Sequence, residues 1–440
     1  MNKRALFIPN DLGGGLGHVR RCNLFSQILK EADWQIAFIT HKKNTQNHIN
    51  TANHTFYIPF TLDQWLVLIR SRINPVHFRP HQKLLKEPYY WEFSGLNYQV
   101  LRDGYFTPWI IEYRFRKMMQ IVNHWKPDII FSDGHLLSYF LGRIFKIPVF
   151  QLVRYSVFPE QDNFLWWKQV PDTLVPPSSM QVFLSLFEKI KEEPFPEANR
   201  LLKGDAYLIP GTPELEPIKT TSPHLFYGYH IDTQWDERLI KIDKKTRLKK
   251  IYVTVGGGAK RTHVKEYYNL ILRSLIKEKF QLIISDPFEA ILSNKQNLDY
   301  PNLTLLKWVD SSTIFPYLNL IIHHGGYGST MESLWWGIPS LIIPYHSEQE
   351  GNGRRIEKLR TGKILPIAQE PYQPVMFDYY YGETTMLGGF DICFNTHEIN
   401  STVKDLISND EFKNEARKHS QKLRSQFNSE LILNFIRENS

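Results

Sequence analysis

The chain has 440 residues, of which 42% are hydrophobic and 22% charged, a globular composition that excludes a disordered, collagen-like or disulfide-scaffold protein. Its net charge of +8 is spread over 53 basic and 45 acidic residues, too diffuse for a nucleic-acid-binding stripe. Cys22 and Cys393 are too few for a disulfide framework or a four-cysteine zinc site. No stretch approaches the ~20 apolar residues of a membrane span, and no signal-peptide core is evident. We therefore expect a cytoplasmic protein, with peripheral contact to the inner membrane face left open.

The first half of the chain alternates short apolar runs with helical patterns. This alternation predicts a parallel sheet with crossover helices. A first helix is expected directly after the first strand, because Val19, Cys22, Phe25 and Leu29 recur at helical spacing. The strands of this half are predicted at residues 5–9, 35–40, 128–132, 149–153 and 207–210.

A second series of the same kind follows a charged stretch, residues 231–249, that has few apolar anchors and predicts a linker. Helices are expected after Thr262, Ser329 and Gln349, and residues 366–395 are expected to form an irregular insertion. The strands are predicted at residues 251–255, 281–285, 303–306, 320–323 and 341–343. The pattern predicts an α/β protein with two Rossmann-like domains, residues 1–230 and 250–440, facing each other across a cleft.

Each half contains a glycine-rich loop after its first strand. The first loop runs from Gly13 to Gly17, and the second contains Gly257 and is followed by Lys260. Such loops can hold a phosphate against backbone N–H groups at a helix start, but they also serve as plain tight turns. The first loop has His18 where a dinucleotide fingerprint needs its third glycine, so NAD binding is not expected.

Residues 308–349 carry the most informative pattern. Two histidines end a strand, two glycines follow, and Ser329 is expected to cap a helix. The imidazole of His324 and the hydroxyls of Ser329 and Thr330 can join the helix amides around an anion. Glu332 can accept hydrogen bonds from a ribose diol, and Glu348 with Gln349 can hold several sugar hydroxyls. Consecutive loops with these groups describe a nucleotide-sugar site.

The segment resembles the donor-binding signature of GT-B fold glycosyltransferases, in particular the family of UDP-glucuronosyltransferases, plant secondary-product enzymes and bacterial macrolide glycosyltransferases. Asp310 and Ser311 stand where that family usually has Pro and Gln, and Glu348 replaces the commoner Asp. The matching positions are His324, Gly326, Ser329, Glu332, Gly337, Pro339, Pro344, Glu348 and Gln349, preceded by Trp308 and Val309.

The resemblance implies a role for each matching residue. Trp308 and Val309 would border the base, and the diphosphate would contact His324 and Ser329, beside Gly326 and Thr330. Glu332 would bind the ribose. Glu348 and Gln349 would bind the donor sugar. Gly17, Gly257 and Lys260 complete the donor-binding residues that we expect from the glycine loops.

Two short motifs in the first half carry the expected chemistry. His18 lies where this family and the related lipid-linked-peptidoglycan N-acetylglucosaminyltransferase have an essential histidine. Asp133 lies where plant-type members have the aspartate that orients it. We interpret His18 as the general base and Asp133 as its partner, with His135 in reserve for that partner role. The competing interpretation of both residues is helix capping.

The implied reaction is an inverting displacement that needs no metal, because the helix amides and His324 would stabilise the departing diphosphate. It needs no cofactor, since the nucleotide-diphosphate sugar, which we expect to be a UDP-sugar, is itself a substrate. The acceptor is expected to bind the first half, where residues 56–115 contain fifteen aromatic residues interleaved with basic ones. Such a surface suits a hydrophobic, lipid-linked or carbohydrate acceptor, whereas a nucleic acid is not expected.

Two other functions keep the same donor site. A nucleotide-sugar hydrolase carries a similar G-x-G-H-x-x-R loop, here residues 15–21, but needs no large aromatic acceptor domain. A non-catalytic sugar-nucleotide-binding subunit would have no use for His18 and Asp133, and it would be revealed if activity required a partner chain.

Overall fold

The computed structural model describes most of the chain, and the statements below concern these residues alone. They are residues 3–12, 16–62, 78–80, 84, 86–93, 95–105, 107–160, 165, 167–231, 247–256, 263–292, 300–307, 309, 311–379 and 381–440. Within these ranges, no helix combines the length and the apolar character that crossing a membrane requires.

The first half folds around a parallel sheet that has seven strands in the described residues. Residues 5–9 of its central strand are fully buried. That strand pairs in parallel with its two neighbours, and Pro9 lies opposite Asp133 in the register. The spatial order is β3 (His54–Tyr57), β2 (Gln35–Thr40), β1 (Arg4–Pro9), β6 (Ile129–Asp133), β7 (Val149–Leu152), β8 (Ala206–Ile209) and β9 (His224–Phe226). The loop after β1 therefore begins beside the end of β6.

Helices pack on both faces of this sheet. The first helix buries Val19, Cys22, Phe25 and Leu29 against it, which confirms the helical spacing in the sequence. A proline begins the fourth helix, and Lys126 in the left-handed conformation ends it. The helices of this half are α1 (Gly17–Glu31), α2 (Lys43–Gln46), α3 (Asn97–Arg102), α4 (Pro108–Trp125), α5 (Ser138–Phe145) and α6 (Leu184–Ile190).

The second half repeats the architecture with a parallel sheet that has six strands in the described residues. Their order is β12 (Leu303–Leu306), β11 (Phe280–Ser285), β10 (Lys249–Thr254), β13 (Leu320–His323), β14 (Ser340–Ile342) and β15 (Gly362–Ile364). The helices are α7 (Val264–Leu275), α8 (Ser311–Ile314), α9 (Tyr327–Trp336), α10 (Ser347–Lys358), α11 (Thr396–Ser408), α12 (Asp410–Gln426) and α13 (Ser429–Glu438). The prediction of two α/β halves with parallel sheets is confirmed.

The predicted strands all form, with ends shifted by at most two residues. In the two parallel sheets, three strands were not predicted: β3, β9 and β15. Each is an edge strand of three or four residues. A segment of that length is too short to show a clear pattern of hydrophobic alternation.

The prediction of an irregular insertion at residues 366–395 is wrong. This segment contains an antiparallel hairpin of β16 (Gln373–Tyr379) and β17 (Gly382–Gly389). Its outer edges pair with two strands from the first half, β4 (Phe78–Pro80) and β5 (Tyr90–Glu92), to form an antiparallel sheet that contains strands from both halves. The Tyr90 side chain is fully buried in the apolar core of the second half. The aromatic segment therefore serves, at this point, to join the two halves.

The end of the chain also returns to the first half. Ile432 and Ile436 of α13 are buried in the same apolar cluster as Ala5 and Phe7 of β1. The first sheet is thus covered partly by the final helix of the chain.

A buried ion pair ties the halves together close to the strand ends. The Arg355 Nη1 of α10 donates to Glu216 Oε1 at 2.7 Å, and Glu216 follows β8 in the first half. The other oxygen of Glu216 accepts from the Tyr155 backbone N–H at 2.6 Å. Both charged side chains are almost fully buried, at 4% and 0% exposed. Removal of one partner would leave a buried, uncompensated charge.

Glu216→Gln should therefore lower the free energy of unfolding by about 3–5 kcal/mol, the usual cost of breaking a buried ion pair. Denaturant unfolding followed by tryptophan fluorescence measures this. The matched control is Glu214→Gln, because Glu214 and Lys422 form a pair in which both side chains are nearly half exposed, at 49% and 45%. This control should cost less than about 1 kcal/mol. Equal, small losses in the two variants would contradict the proposed importance of the buried pair.

Candidate active site

His18, Asp133 and Arg21 form a compact charged cluster in the first half. The Nδ1 atom of His18 lies 2.6 Å from Asp133 Oδ1. Arg21 donates from Nε to Asp133 Oδ2 at 2.7 Å and from Nη2 to Asp133 Oδ1 at 2.9 Å. The carboxylate is thus held at both oxygens by a guanidinium, and one oxygen also bonds the imidazole.

The local fold explains why these three residues meet. His18 and Arg21 are three positions apart on α1, so both side chains lie on the same face of the helix. Asp133 is the last residue of β6. Gly134 has a left-handed φ of +69°, and a Cβ there would lie 2.9 Å from His18 Cε1. Only glycine suits both this conformation and the close approach of the imidazole ring.

Helix capping is excluded for both residues. The N-cap of α1 is Leu16, and the N-cap of α5 is Leu137, each without a side-chain hydrogen bond. His135, the reserve partner, lies instead against His41, with 3.1 Å between their Nε2 atoms. Burial, together with the charges of Arg114 and His18, lowers the pKa of His135 to about 3. Asp133 is therefore the residue that contacts His18.

The electrostatics of the cluster keep Asp133 ionised. Burial opposes its charge, but the Arg21 guanidinium, followed by His18, outweighs burial and lowers the pKa of Asp133 to about 2. With Nδ1 next to a carboxylate, His18 carries its proton there and presents Nε2 as the acceptor. Within the described part of the chain, no hydrogen-bond partner approaches that Nε2 atom. The His18 side chain is 23% exposed, so a substrate can reach it.

A small cavity of about 20 Å³ begins at this cluster. Its polar lining comes from His18, Arg21, Asp133, Gln99 and Arg154. The rest of the lining is mostly apolar and consists of Leu96, Gly134, Leu152, Val153, Val157, Leu202 and Pro210. Its volume is that of about one water molecule, and it borders the imidazole of His18.

In the second half, His324 lies between two glycines at the end of β13. A Cβ on Gly256 would approach His324 Cε1 to 2.6 Å, and one on Gly326 would approach His324 Nε2 to 2.3 Å. Gly326 is also the N-cap of α9, which has no side-chain cap. The first amides of α9 are therefore available to an anion beside the His324 ring.

Two details of this helix start differ from the prediction. Ser329 does not cap α9, because the helix begins two residues earlier at Tyr327. The Thr330 hydroxyl donates to the Gly326 carbonyl at 3.1 Å and is therefore already used within the helix. Ser329 and Glu332 lie in the first two turns of α9 with half-buried side chains. The neighbouring His323 is fully buried, and burial lowers its pKa to about 3.

The next loop places Glu348 and Gln349 at the start of α10. Glu348 forms an ion pair with Arg154, which follows β7 in the first half. The Gln349 Oε1 atom accepts from the Tyr345 backbone N–H at 2.9 Å, and its side chain is almost fully buried. Glu348 is the more exposed of the two, with 23% of its side chain accessible. Contact of either residue with a donor sugar stays a prediction.

The remaining predicted donor residues are placed as follows. Gly17 is the first residue of α1 and is exposed, and a Cβ there would make only ordinary contact with Arg21. Val309 is half-buried and packs on the apolar cluster that contains Tyr252. Gly257, Lys260 and Trp308 lie outside the described residues.

The two halves of the site meet at Arg154 and Tyr327. The Arg154 guanidinium lies 5.0 Å from the ring centre of Tyr327, the first residue of α9. The Tyr327 hydroxyl reaches the Pro210 carbonyl after β8 at 3.4 Å. Arg154 also lines the cavity that begins at His18. These contacts join the His18 cavity to the anion seat of α9 and to Glu348.

Sequence reasoning missed the roles of Arg21, Arg154 and Gly134. Arg21 had a readable signal, since it lies three residues after His18 on the same predicted helix. Gly134 and Arg154 each follow a predicted strand, but their partners, His18 and Glu348, lie far away in sequence.

Comparison with known proteins supports the fold and the family resemblance. The family described as erythromycin biosynthesis protein CIII-like, C-terminal domain, matches residues 288–375. The chain is 24% identical over 266 residues to an uncharacterized glycosyltransferase of Methanosarcina acetivorans, a match that covers 58% of this chain and 64% of that relative. The matched region thus spans slightly less than two thirds of the relative's length.

Solved structures resemble the whole chain. The calicheamicin glycosyltransferase CalG4 has a TM-score of 0.66 at 13% identity, covering 100% of this chain and 98% of its own. The spinosyn rhamnosyltransferase SpnG, complexed with thymidine diphosphate, has a TM-score of 0.60 at 12% identity, covering 99% and 100%. The protein has the GT-B fold. In this chain, α9 and the loop after β14 lie in the second of the two GT-B domains. That domain contains the segment that resembles a donor-binding signature.

Gly326, which packs against the His324 ring, offers a direct test of the expected diphosphate site at the start of α9. Gly326→Ala should weaken binding of uridine or thymidine diphosphate at least about tenfold, because the new methyl group displaces the His324 ring from the anion seat. Isothermal titration calorimetry measures this affinity.

The matched control is Gly328→Ala in the same helix turn. A Cβ on Gly328 would meet nothing within 4 Å, so this variant should bind like the parent protein. Circular dichroism verifies that both variants fold. Unchanged affinity in Gly326→Ala would contradict the proposed position of the diphosphate.

Proposed function

We propose that this protein is an inverting, metal-independent glycosyltransferase that moves a sugar from a UDP- or TDP-sugar to an acceptor hydroxyl. The observation that carries the proposal is the junction at Arg154. Arg154 lines the cavity beside His18 and also contacts Glu348 and Tyr327. Tyr327 is the first residue of α9, and Glu348 lies in the first turn of α10, the two helices of the expected donor site. A base and an anion seat on opposite sides of one cleft suit a displacement between two bound substrates.

In the proposed reaction, Nε2 of His18 takes the proton of the acceptor hydroxyl as its oxygen attacks the anomeric carbon. The bond between that carbon and the phosphate oxygen breaks, and the nucleoside diphosphate leaves with the electron pair. Attack from the side opposite the leaving group inverts the anomeric centre. Asp133, 2.6 Å from His18 Nδ1, would stabilise the imidazolium that forms.

The departing diphosphate would be stabilised by the uncapped amides of α9 and by His324 beside them. These groups are fixed in place by the close packing around Gly256 and Gly326. In other diphosphate sites a divalent cation stabilises the negative charge of the leaving group. Here the α9 amides and His324 would do so, and we therefore propose that transfer continues in the presence of EDTA.

The acceptor would bind beside His18. Val157, which is only half-buried at the edge of the small cavity, suits contact with the apolar part of a hydrophobic or lipid-linked acceptor whose hydroxyl is directed to His18. SpnG has also been solved in complex with spinosyn aglycone, and its chain shares the fold of this protein. Much of the basic, aromatic segment that the sequence associates with a membrane surface lies outside the described residues.

The test is an assay of the purified chain with UDP- and TDP-sugars, a panel of hydrophobic and lipid-linked alcohols, and EDTA. The proposal predicts a glycosylated product with inverted anomeric configuration, determined by nuclear magnetic resonance (NMR). Release of free sugar without an acceptor would favour a hydrolase. Nucleotide binding without turnover, restored by a partner chain, would favour a binding subunit.

His18→Ala should lower kcat at least about a thousandfold while leaving the affinity for the nucleoside diphosphate unchanged, because it removes the base and not the donor site. Asp133→Asn should also reduce kcat strongly by removing the charge that stabilises the imidazolium. Steady-state kinetics and calorimetry separate the two effects. His48→Ala, at an exposed position of the same half, serves as the control and should retain activity. Loss of nucleotide affinity in His18→Ala would contradict the assignment.

A further inference from the structure

We infer that Arg21 is a positioning residue for the catalytic base: its guanidinium fork orients Asp133, and its charge, held against the imidazole, opposes a positive charge on His18. This inference rests on the proposed function of His18 as a base. Arg21 then acts together with His18 and Asp133, and its charge has an effect of its own on the imidazole.

The first step concerns geometry. Arg21 bonds both oxygens of Asp133, at 2.7 and 2.9 Å, in the side-on arrangement that a planar guanidinium favours. The fork fixes the plane of the carboxylate. The carboxylate in turn holds His18 Nδ1 at 2.6 Å, and Gly134 packs against the other side of the ring. Asp133 is 2% exposed and Arg21 is 14% exposed, so water competes little for these bonds.

The second step concerns charge. Asp133 alone would attract a proton to His18 strongly, because a buried carboxylate next to an imidazole favours the imidazolium. Arg21 neutralises that carboxylate, and its Nη2 atom lies only 3.1 Å from His18 Nδ1. A positive charge on the imidazole ring would lie next to the positive charge of the Arg21 guanidinium, and the two would repel each other. The guanidinium therefore opposes protonation of the imidazole.

Other titratable groups around the cluster do not supply this effect. His135, after β6, stays neutral because burial lowers its pKa to about 3. Tyr227 and Tyr327, which lie beside Arg21, stay neutral because burial raises the pKa of each well above its usual value. Arg154, after β7, is paired with Glu348. Among the described residues, the charges in direct contact with His18 are therefore those of Asp133 and Arg21.

The experiment uses three variants of the full chain. Arg21→Met removes the fork and the charge, and Arg21→Lys keeps a charge without the fork. Arg20→Met removes the adjacent, exposed arginine of the same helix as a matched control. Two quantities are measured: the protonation midpoint of His18 by NMR on protein labelled with ¹³C-histidine, and the pH dependence of kcat/KM. The His18→Ala spectrum assigns the His18 signal.

Arg21→Met should raise the midpoint of His18 by about one pH unit or more, and the acidic limb of kcat/KM should move upward with it. The midpoint in Arg20→Met should stay within about 0.2 units, because a solvated charge is screened. Arg21→Lys should keep a midpoint near that of the parent protein and lose at least about tenfold in kcat, because its ammonium cannot hold the carboxylate plane.

An unchanged midpoint in a folded Arg21→Met protein would overturn the role of the charge, and a parental kcat in Arg21→Lys would overturn the role of the fork. If Arg21→Met fails to fold, the charge is tested in Arg21→Gln by the same titration, and failure of both to fold would assign Arg21 to structure alone. The NMR midpoint needs no turnover. A shifted midpoint in a chain that transfers no sugar would therefore refute the proposed function while leaving the electrostatic inference in place.

Discussion

The whole site depends on one constraint, which is that the carboxyl ends of both parallel sheets open into the same cleft. Asp133 ends β6, Arg154 follows β7 and Glu216 follows β8, while Tyr327 and Glu348 follow β13 and β14. The contacts across the cleft join these loops: Arg154 with Glu348, Glu216 with Arg355, and Tyr327 with Pro210. Parallel strands place all their carboxyl ends on one edge, so residues from distant parts of the chain reach a common volume.

Buried charge is the second feature that organises the molecule. Of the pairs Arg21 with Asp133 and Arg355 with Glu216, the second is almost fully buried, whereas in the first Asp133 is 2% and Arg21 14% exposed. Each carboxylate also has a further partner, the Tyr155 backbone N–H for Glu216 and the His18 imidazole for Asp133. Such pairs contribute little net stability, since desolvation offsets most of the attraction, but they allow few alternative arrangements. In the first pair this restriction orients the imidazole. In the second it fixes how the loop after β8 meets α10, directly next to the donor side of the cleft.

Much of the fold and of the site could be predicted from the sequence, because the relevant signals are local. Buried strands appear as apolar runs. Asp133 ends one of them, His324 directly follows another, and His18 lies in the first turn of the helix after the first strand. The hairpin of β16 and β17 was missed although Val375 and Phe377 alternate with the more exposed Met376 and Asp378. Its pairing with β4 and β5 could not be foreseen, since those partners lie about three hundred residues earlier. A separation of 194 residues likewise hid the pair of Arg154 and Glu348. Ser329 was misjudged because a glycine, Gly326, occupies the N-cap position where serine is common.

The most direct test of the account is a crystal structure of the chain bound to uridine or thymidine diphosphate. The account predicts that the distal phosphate contacts the first amides of α9 beside His324, with Nε2 of His18 on the opposite wall of the cleft and directed toward that phosphate. The space between them should accommodate one sugar ring. A diphosphate bound away from α9, or a His18 whose Nε2 is directed away from the bound phosphate, would contradict the account.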